Sequence, residues 1–240
     1  MADVTVNDTT TMQRLRGVTD QDASGLAAEI IEASNLFLGR TSNLVRILAA
    51  HSPLMARWFL GLVAAVRQPN LGSSSDVRLR NLATIKTSIA NECNYCATHT
   101  SIFGEALGLR TEDLEALKGD AYKTSPLFND REKAAIAWAE AMTRNTAKYE
   151  GKVWNDMRTL FSDTEIVEIS MAAAMFNMIN RLNDSFWTEL ETLEYNRKQG
   201  DAVKGRTVEQ IEEYAGRFGS TGKAERESVK AVAGAEQNGQ

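Results

Sequence analysis

The chain has 240 residues, a length typical of a single domain with a full hydrophobic core. It carries 27 Lys and Arg residues against 32 Asp and Glu residues, and its net charge of −5 leaves no basic face for phosphate backbones. Its longest apolar run, residues 59–66, is far shorter than the ~20 residues of a membrane-spanning helix. Composition and charge therefore argue against nucleic acid and the membrane as partners.

Three regions follow one another along the chain. Residues 1–22 are polar, rich in Thr and Asp, and lack the apolar stretch of a secretory signal, which predicts a flexible leader and a cytoplasmic protein. Apolar residues then recur at helical spacing over residues 23–198, and no segment has a convincing strand pattern. We therefore expect an all-α domain. Residues 199–240 are rich in Gly, Glu and Lys, which predicts a mobile polar tail, with a docking peptide for a partner as the alternative.

Within the domain, the helical pattern of residues 79–96 occurs again 87 positions further along the chain, at residues 166–183. At this shift Cys93 aligns with Asn180 and Cys96 aligns with Asn183. The sequence thus predicts two pseudo-repeated helical segments. The alternative is a coincidence, since apolar residues at helical spacing match easily between amphipathic helices.

Both cysteines and one of the two histidines lie in the segment NECNYCATHTS, residues 91–101. Cys93 and Cys96 are one turn apart at a predicted helix start, where unsatisfied N–H groups and the helix dipole stabilise a thiolate. His99 comes one turn later and is within reach of Cys96 as a proton acceptor, an acid or an imidazolium partner. The neighbouring Glu92 opposes thiolate formation. The pattern predicts a reducible dithiol, with a pair of inert buried cysteines as the alternative.

Other uses of a CxxC pair fit these residues less well. Covalent haem attachment requires His directly after the second Cys, where this chain has Ala97. A structural zinc site requires four ligands, but there is no second Cys pair and the only other histidine is His51. A thioredoxin-type site would lie at a strand-to-helix junction, whereas the residues on both sides of this motif have a helical pattern. We therefore expect no metal and no bound cofactor.

Residues 79–109, LRNLATIKTSIANECNYCATHTSIFGEALGL, resemble the alkylhydroperoxidase D and carboxymuconolactone decarboxylase superfamily, in which a helix is followed by CxYC and a nearby His. Tyr95 matches the Tyr of that motif, and the similarity extends over roughly residues 40–195. The resemblance implies an all-helical bundle, a homo-oligomer (dimer, trimer or hexamer) and a peroxide-reducing dithiol cycle that needs an external thiol reductant. By position, Cys96 would be the attacking thiolate and Cys93 the resolving thiol.

The chain departs from the best-studied peroxidases of this family at two positions. Their His lies four residues after the second Cys, where this chain has Thr100, and His99 precedes it by one place. Their relay Glu lies twelve residues before the first Cys, where this chain has Asn81. In the second pseudo-repeat the position that matches Asn81 is Glu168, and we predict that burial raises the pKa of Glu168 and makes it the catalytic relay acid. Structural pairing of Glu168 with a cation is the alternative.

Four further residues are candidates for substrate binding: Asn81, Tyr95, Asn180 and Arg181. The last two belong to NRLND, residues 180–184, which places polar groups in an apolar helical region where they need partners. Arg181 either faces the thiol pocket or pairs with a carboxylate such as Asp184 in a structural network.

The sequence thus supports a cofactor-free thiol peroxidase that acts on a small hydroperoxide. A second hypothesis is a lyase, decarboxylase or isomerase, in which His99 performs acid–base work on a small organic acid held by an Arg. A third is a non-enzymatic helical scaffold whose dithiol senses redox state.

Overall fold

The computed structural model describes residues 12–69 and 71–205, and side chains up to residue 200. Over these residues the chain forms ten α-helices and two 3-10 turns, with no strand, which confirms the expected all-α class. None of the described helices is both long enough and apolar enough to cross a membrane. The elements are α1 (Gly25–Leu38), α2 (Asn43–His51), α3 (Pro53–Arg67), α4 (Val77–Ala90), α5 (Asn94–Ala106), α6 (Thr111–Leu117), α7 (Asp130–Thr143), α8 (Gly151–Leu160), α9 (Asp163–Phe186) and α10 (Leu193–Gly205), with 3-10 turns at Ala121–Lys123 and Ala147–Tyr149.

Helix α4 lies at the centre of the bundle. It packs against α5, α7 and α9, and every residue from 79 to 88 is buried. Two of these residues are cationic, and each is bonded to backbone carbonyls: Arg80 Nε donates to Val66 O at 2.8 Å, and Lys86 Nζ donates to Gly119 O at 3.0 Å. A central helix can therefore carry buried charges because carbonyl oxygens replace their water.

A tight reversal joins α4 to α5 and sets the position of the cysteines. The N–H of Cys93 donates to the carbonyl of Ser88, and that of Glu92 donates to the carbonyl of Ile89, both at 3.0 Å. Together these two bonds form the Schellman arrangement that ends a helix. Glu92 has a left-handed φ of 58°, in a place where glycine is usual. The chain turns here, so that Cys93 becomes the N-cap of α5.

The two predicted pseudo-repeats pack against each other, as α4 and α5 on one side and α9 on the other. The residues aligned by the 87-residue shift are in contact: Cys93 Sγ donates to Asn180 O at 3.9 Å, and Asn183 Nδ2 donates to Cys96 Sγ at 3.2 Å. The copies differ in form, since the first turns between α4 and α5, whereas α9 is one continuous helix of 24 residues.

Part of the predicted leader is bonded to the helical body. Residues 12–24 contain no helix, but the N–H of Arg14 donates to Phe186 O at 2.8 Å and that of Val18 donates to Arg46 O at 3.2 Å. These bonds join the segment to the end of α9 and to α2. Residues 1–11 lie outside the described residues.

The C-terminal boundary differs from the expected one. Helix α10 continues to Gly205, and Gln199 is 2% exposed, donating through Nε2 to His99 O at 3.1 Å. The predicted start of the tail at residue 199 is therefore too early, because the polar Gln199 is paired inside the bundle. Residues 206–240 lie outside the described residues.

Candidate active site

The two cysteines occupy the first turn of α5 and are both buried, Cys93 at 0% and Cys96 at 1% exposure. They differ in what they face. Cys96 lines a cavity of about 50 Å³, whereas Cys93 lies behind it against α9. A small molecule that enters the cavity therefore meets the sulfur of Cys96.

Hydrogen bonds distinguish the two thiols electrostatically. The bond with Cys93 lowers the pKa of the Cys96 thiol, and bonds from Asn180 and Asn183 act in the same direction against the effect of burial. The same contact with Cys96, together with burial, raises the pKa of Cys93. Cys96 is thus the thiol that ionises first, and Cys93 keeps its proton.

A buried carboxylate holds the histidine of the motif. His99 Nε2 lies 2.8 Å from Glu191 Oε2. The other carboxylate oxygen accepts from Tyr95 Oη at 2.9 Å and from the Asn43 N–H at 2.5 Å, with Arg40 Nη1 at 3.7 Å. Burial alone would raise the pKa of Glu191, but the hydrogen bond from His99 and the charges of His99 and Arg40 lower it to about 2.

The charge state of His99 follows from this environment. Burial lowers the pKa of His99 to about 4, which outweighs the hydrogen bond with Glu191 that acts to raise it. The imidazole is therefore neutral at pH 7. Because Glu191 is ionised, Nε2 carries the ring proton and Nδ1 keeps a free lone pair. His99 is consequently a proton acceptor, not an imidazolium partner for the Cys96 thiolate.

The cavity has an apolar wall and a small number of polar groups. Side chains of α1, α2, α3 and α9 form the apolar wall. Its polar lining includes Arg40, Arg67, Cys96, His99, Asn183 and Gln199. No group of three or more His, Cys, Asp or Glu side chains within the described residues is arranged to hold a metal ion.

The structure brings some of the sequence-predicted site residues together and separates others. Tyr95 supports Glu191, and Asn180 accepts from Cys93 through its carbonyl. Asn81 is buried away from the cavity lining, with its Nδ2 donating to Thr100 O at 3.3 Å. Arg181 does not bond to Asp184 and does not line the cavity. It donates to Asn177 O at 2.7 Å on the exposed side of α9.

The structure does not bring Glu168, the predicted relay acid, to the cavity that Cys96 lines. Its carboxylate accepts from the N–H groups of Ser74 and Ser75 at 2.9 and 2.6 Å. Burial acts to raise the pKa of Glu168, but the bonds from Ser75 and Ser74 lower it overall, opposite to the expected direction. The continuity of α9 explains the difference, because twelve residues of a straight helix separate Glu168 from Asn180 by about 18 Å.

We expect Glu168→Gln to act on stability alone. The change weakens two charge-assisted bonds that hold the connection before α4 on α9, and it should lower the free energy of unfolding by about 1 kcal/mol. Urea unfolding measures this loss, and the oxidation rate of Cys96 should stay at the wild-type value. A folded Glu168→Gln protein with slowed thiol oxidation would restore the relay hypothesis.

Sequence reasoning missed Glu191, Arg40, Arg67 and Gln199. Glu191 lies in the short connection between α9 and α10, where a charged residue is usually solvated. Arg67 is the last residue of α3, a position that is typical of a dipole-stabilising cation on a helix end. The local pattern around these residues therefore gave no signal, and only tertiary packing brings Arg40, Arg67 and Gln199 to the cavity of Cys96 and Glu191 to His99.

Comparison with known proteins identifies the fold. No family model and no curated protein matches the chain. Among solved structures, a variant of the debrominase Bmp8 in complex with 2,3,4-tribromopyrrole has a TM-score of 0.65 at 20% identity, over 82% of this chain and 100% of that one. A peroxidase-related protein with an alkylhydroperoxidase AhpD core, from Ralstonia eutropha JMP134, has a TM-score of 0.64 at 16% identity, over 79% of this chain and 98% of that one. The chain has the alkylhydroperoxidase D-like fold.

A third structure supports this result. A peroxidase-related protein from Silicibacter sp. TM1040 has a TM-score of 0.62 at 21% identity, over 78% of this chain and 98% of that one. The resemblance noted in the sequence is confirmed at the level of the alkylhydroperoxidase D-like fold. At these identities the likeness concerns the fold, and activity depends on the residues that this chain places in the cavity.

Proposed function

We propose that the protein is a cofactor-free thiol peroxidase that reduces a small hydroperoxide at Cys96. The observation that carries this proposal is the asymmetry of the dithiol. Cys96, whose pKa is lowered, faces the cavity beside His99, and Cys93, whose pKa is raised, lies directly behind it. An attacking thiolate and a resolving thiol need this division of roles.

The first step is oxidation of Cys96. His99 Nδ1 takes the thiol proton, and the thiolate attacks the terminal oxygen of the hydroperoxide. The S–O bond forms as the O–O bond breaks, which leaves a sulfenic acid on Cys96 and an alkoxide that leaves as the alcohol with the proton from His99. Asn183 Oδ1 is buried at the cavity and has no hydrogen-bond partner among the described residues, so it is an acceptor for the hydroperoxide O–H.

The second step closes the dithiol. Cys93, one turn before Cys96 on the same helix start, attacks the sulfenic sulfur, and an S–S bond replaces the S–O bond. The departing hydroxide takes the Cys93 proton and leaves as water. An external dithiol then reduces the disulfide by thiol exchange and returns both cysteines to the thiol form.

The cavity argues for a small substrate. Its volume of about 50 Å³ accommodates a few water-sized groups, which favours a short hydroperoxide over a halogenated ring. Debromination, suggested by the similarity to Bmp8, would require the apolar wall to open. The lyase hypothesis uses His99 without the thiols, and the sensor hypothesis needs no cavity beside Cys96, so both leave the placement of Cys96 unexplained.

Reaction of the reduced protein with hydrogen peroxide and tert-butyl hydroperoxide tests the proposal. We expect loss of both free thiols, an intramolecular Cys93–Cys96 disulfide by mass spectrometry, and repeated turnover when dithiothreitol is present. Bromide release from a bromopyrrole without peroxide turnover would favour the debrominase chemistry. Two unpaired thiols after treatment with peroxide would overturn the proposal.

A further inference from the structure

The strongest unused feature of the cavity is a buried arginine with free donors. Arg67 lines the cavity with Cys96 and is 8% exposed. Its Nη1 donates to Gln199 Oε1 at 3.3 Å, and its guanidinium lies over the ring of Phe103 at 4.5 Å and near that of Phe176 at 5.8 Å. Nε and Nη2 are buried and have no hydrogen-bond partner among the described residues.

The free donors have a defined shape. Nε and Nη2 lie on the same edge of the planar guanidinium, and their N–H groups project in parallel. This is the edge that meets the two oxygens of a carboxylate in a bidentate pair. Gln199 and the aromatic rings hold the rest of the group in place, so the edge is fixed before any ligand arrives.

The charges around the cavity leave this arginine without a counter-ion among the described residues. Arg40 Nη1 lies 3.7 Å from Glu191, so Arg40 and His99 share this carboxylate. No carboxylate within the described residues pairs with Arg67. Burial and the charge of Arg40 lower the pKa of Arg67 to about 9, so it remains cationic at neutral pH. A buried cation without a partner is costly, and an anionic ligand would relieve that cost.

We propose that Arg67 binds the carboxylate of the substrate, so that the enzyme selects a short carboxylic acid that carries the reactive hydroperoxide. The inference rests on the proposed function in one respect, namely that Cys96 is the reacting thiol. The small cavity limits the acid to a short chain, and the position of Arg67 on the same cavity as Cys96 lets one molecule contact both.

A competing role for Arg67 is to stabilise the Cys96 thiolate, since the charge of Cys96 acts to raise the pKa of Arg67. The two roles predict different selectivity. A cation that acts only on the thiolate speeds every reagent at Cys96 by the same factor. An arginine that binds a carboxylate speeds an anionic reagent relative to a neutral one of the same size.

Alkylation of Cys96 separates these roles without any need for peroxide turnover. Iodoacetate and iodoacetamide differ in charge, and each forms an S–C bond to Cys96 with release of iodide. We expect Arg67→Gln to lower the ratio of the iodoacetate rate to the iodoacetamide rate by about tenfold or more, a size typical of charge-assisted hydrogen bonds. Arg67→Lys should retain part of the preference, and Arg158→Gln, an exposed arginine on α8, should retain all of it. Peptide mass spectrometry assigns the label to Cys96.

A second measurement covers the case in which Arg67→Gln does not fold. In the wild-type protein, butyrate should slow the alkylation of Cys96 by iodoacetamide, and butyramide at the same concentration should not. Equal protection by both compounds, or an equal slowing of both alkylating reagents in Arg67→Gln, would overturn the inference. A positive result without peroxide turnover would instead retain the acid-binding site and reject the peroxidase.

Discussion

Cys96→Ser should reduce peroxide turnover by roughly 10³-fold or more, because a serine hydroxyl in this cavity cannot take the place of a thiolate that forms the covalent intermediate. Cys93→Ser should behave differently. Its Cys96 still reacts with one equivalent of peroxide, but the sulfenic acid has no resolving thiol beside it. We expect this variant to consume peroxide once and then stop.

Three measurements check the pair of variants. Peroxide consumption in the presence of dithiothreitol gives turnover, dimedone labelling with mass spectrometry detects sulfenic acid on Cys96 in Cys93→Ser, and thermal unfolding shows that both variants keep the wild-type fold. Turnover that persists in Cys96→Ser would mean that Cys96 is not the attacking group. Turnover of Cys93→Ser at the wild-type rate would assign the resolving step to the external thiol.

Local sequence patterns were sufficient for the helices and for the position of the dithiol at a helix start. The apolar positions of residues 77–90 identify α4, and the CxxC spacing places Cys93 and Cys96 on the first turn of the next helix, as the structure shows. These features depend on residues within a few turns of one another. The residue pairs that the 87-residue repeat aligns, Cys93 with Asn180 and Cys96 with Asn183, are in contact in the structure.

The polar partners of the site could not be predicted in this way. Glu191 and Arg67 lie outside the motif in the sequence, and tertiary packing brings Arg67 to the cavity and Glu191 to His99. The repeat led instead to Glu168, because it matches positions in the two copies one by one. It takes no account of the turn between α4 and α5, which the continuous helix of the second copy lacks. A relay acid was expected from the family resemblance, and the structure supplies a carboxylate beside His99 from a connection, not from a helix.

Glu191→Gln should cost up to about 3 kcal/mol of stability at pH 7, and this cost should shrink as the pH falls. Burial acts to raise the pKa of this carboxylate, but the hydrogen bond and charge of His99, the charge of Arg40 and the bond from the Asn43 N–H lower it from 4.5 to about 2. A carboxylate whose pKa is lowered by folding stabilises the protein above its unfolded pKa and loses that contribution as the pH falls toward its folded pKa. A shift from 4.5 to about 2 corresponds to about 3 kcal/mol, which is the upper limit at pH 7 because His99 is neutral there and its charge does not contribute.

Urea unfolding of both chains at pH 7, 4.5 and 3 tests this prediction through the difference between them. The difference should keep most of its pH 7 value down to pH 4.5 and decrease at pH 3 and below, because the wild-type carboxylate is increasingly protonated there and comes to resemble the amide of Gln. Glu194→Gln, at an exposed position in the first turn of α10, is the matched control and should show only a small difference at every pH. A constant difference across the pH range would mean that Glu191 contributes through the shape of its side chain and not through its charge. His99 would then lack the anionic partner that keeps the ring proton on Nε2. Without that partner, Nδ1 would no longer be fixed as the acceptor of the Cys96 proton.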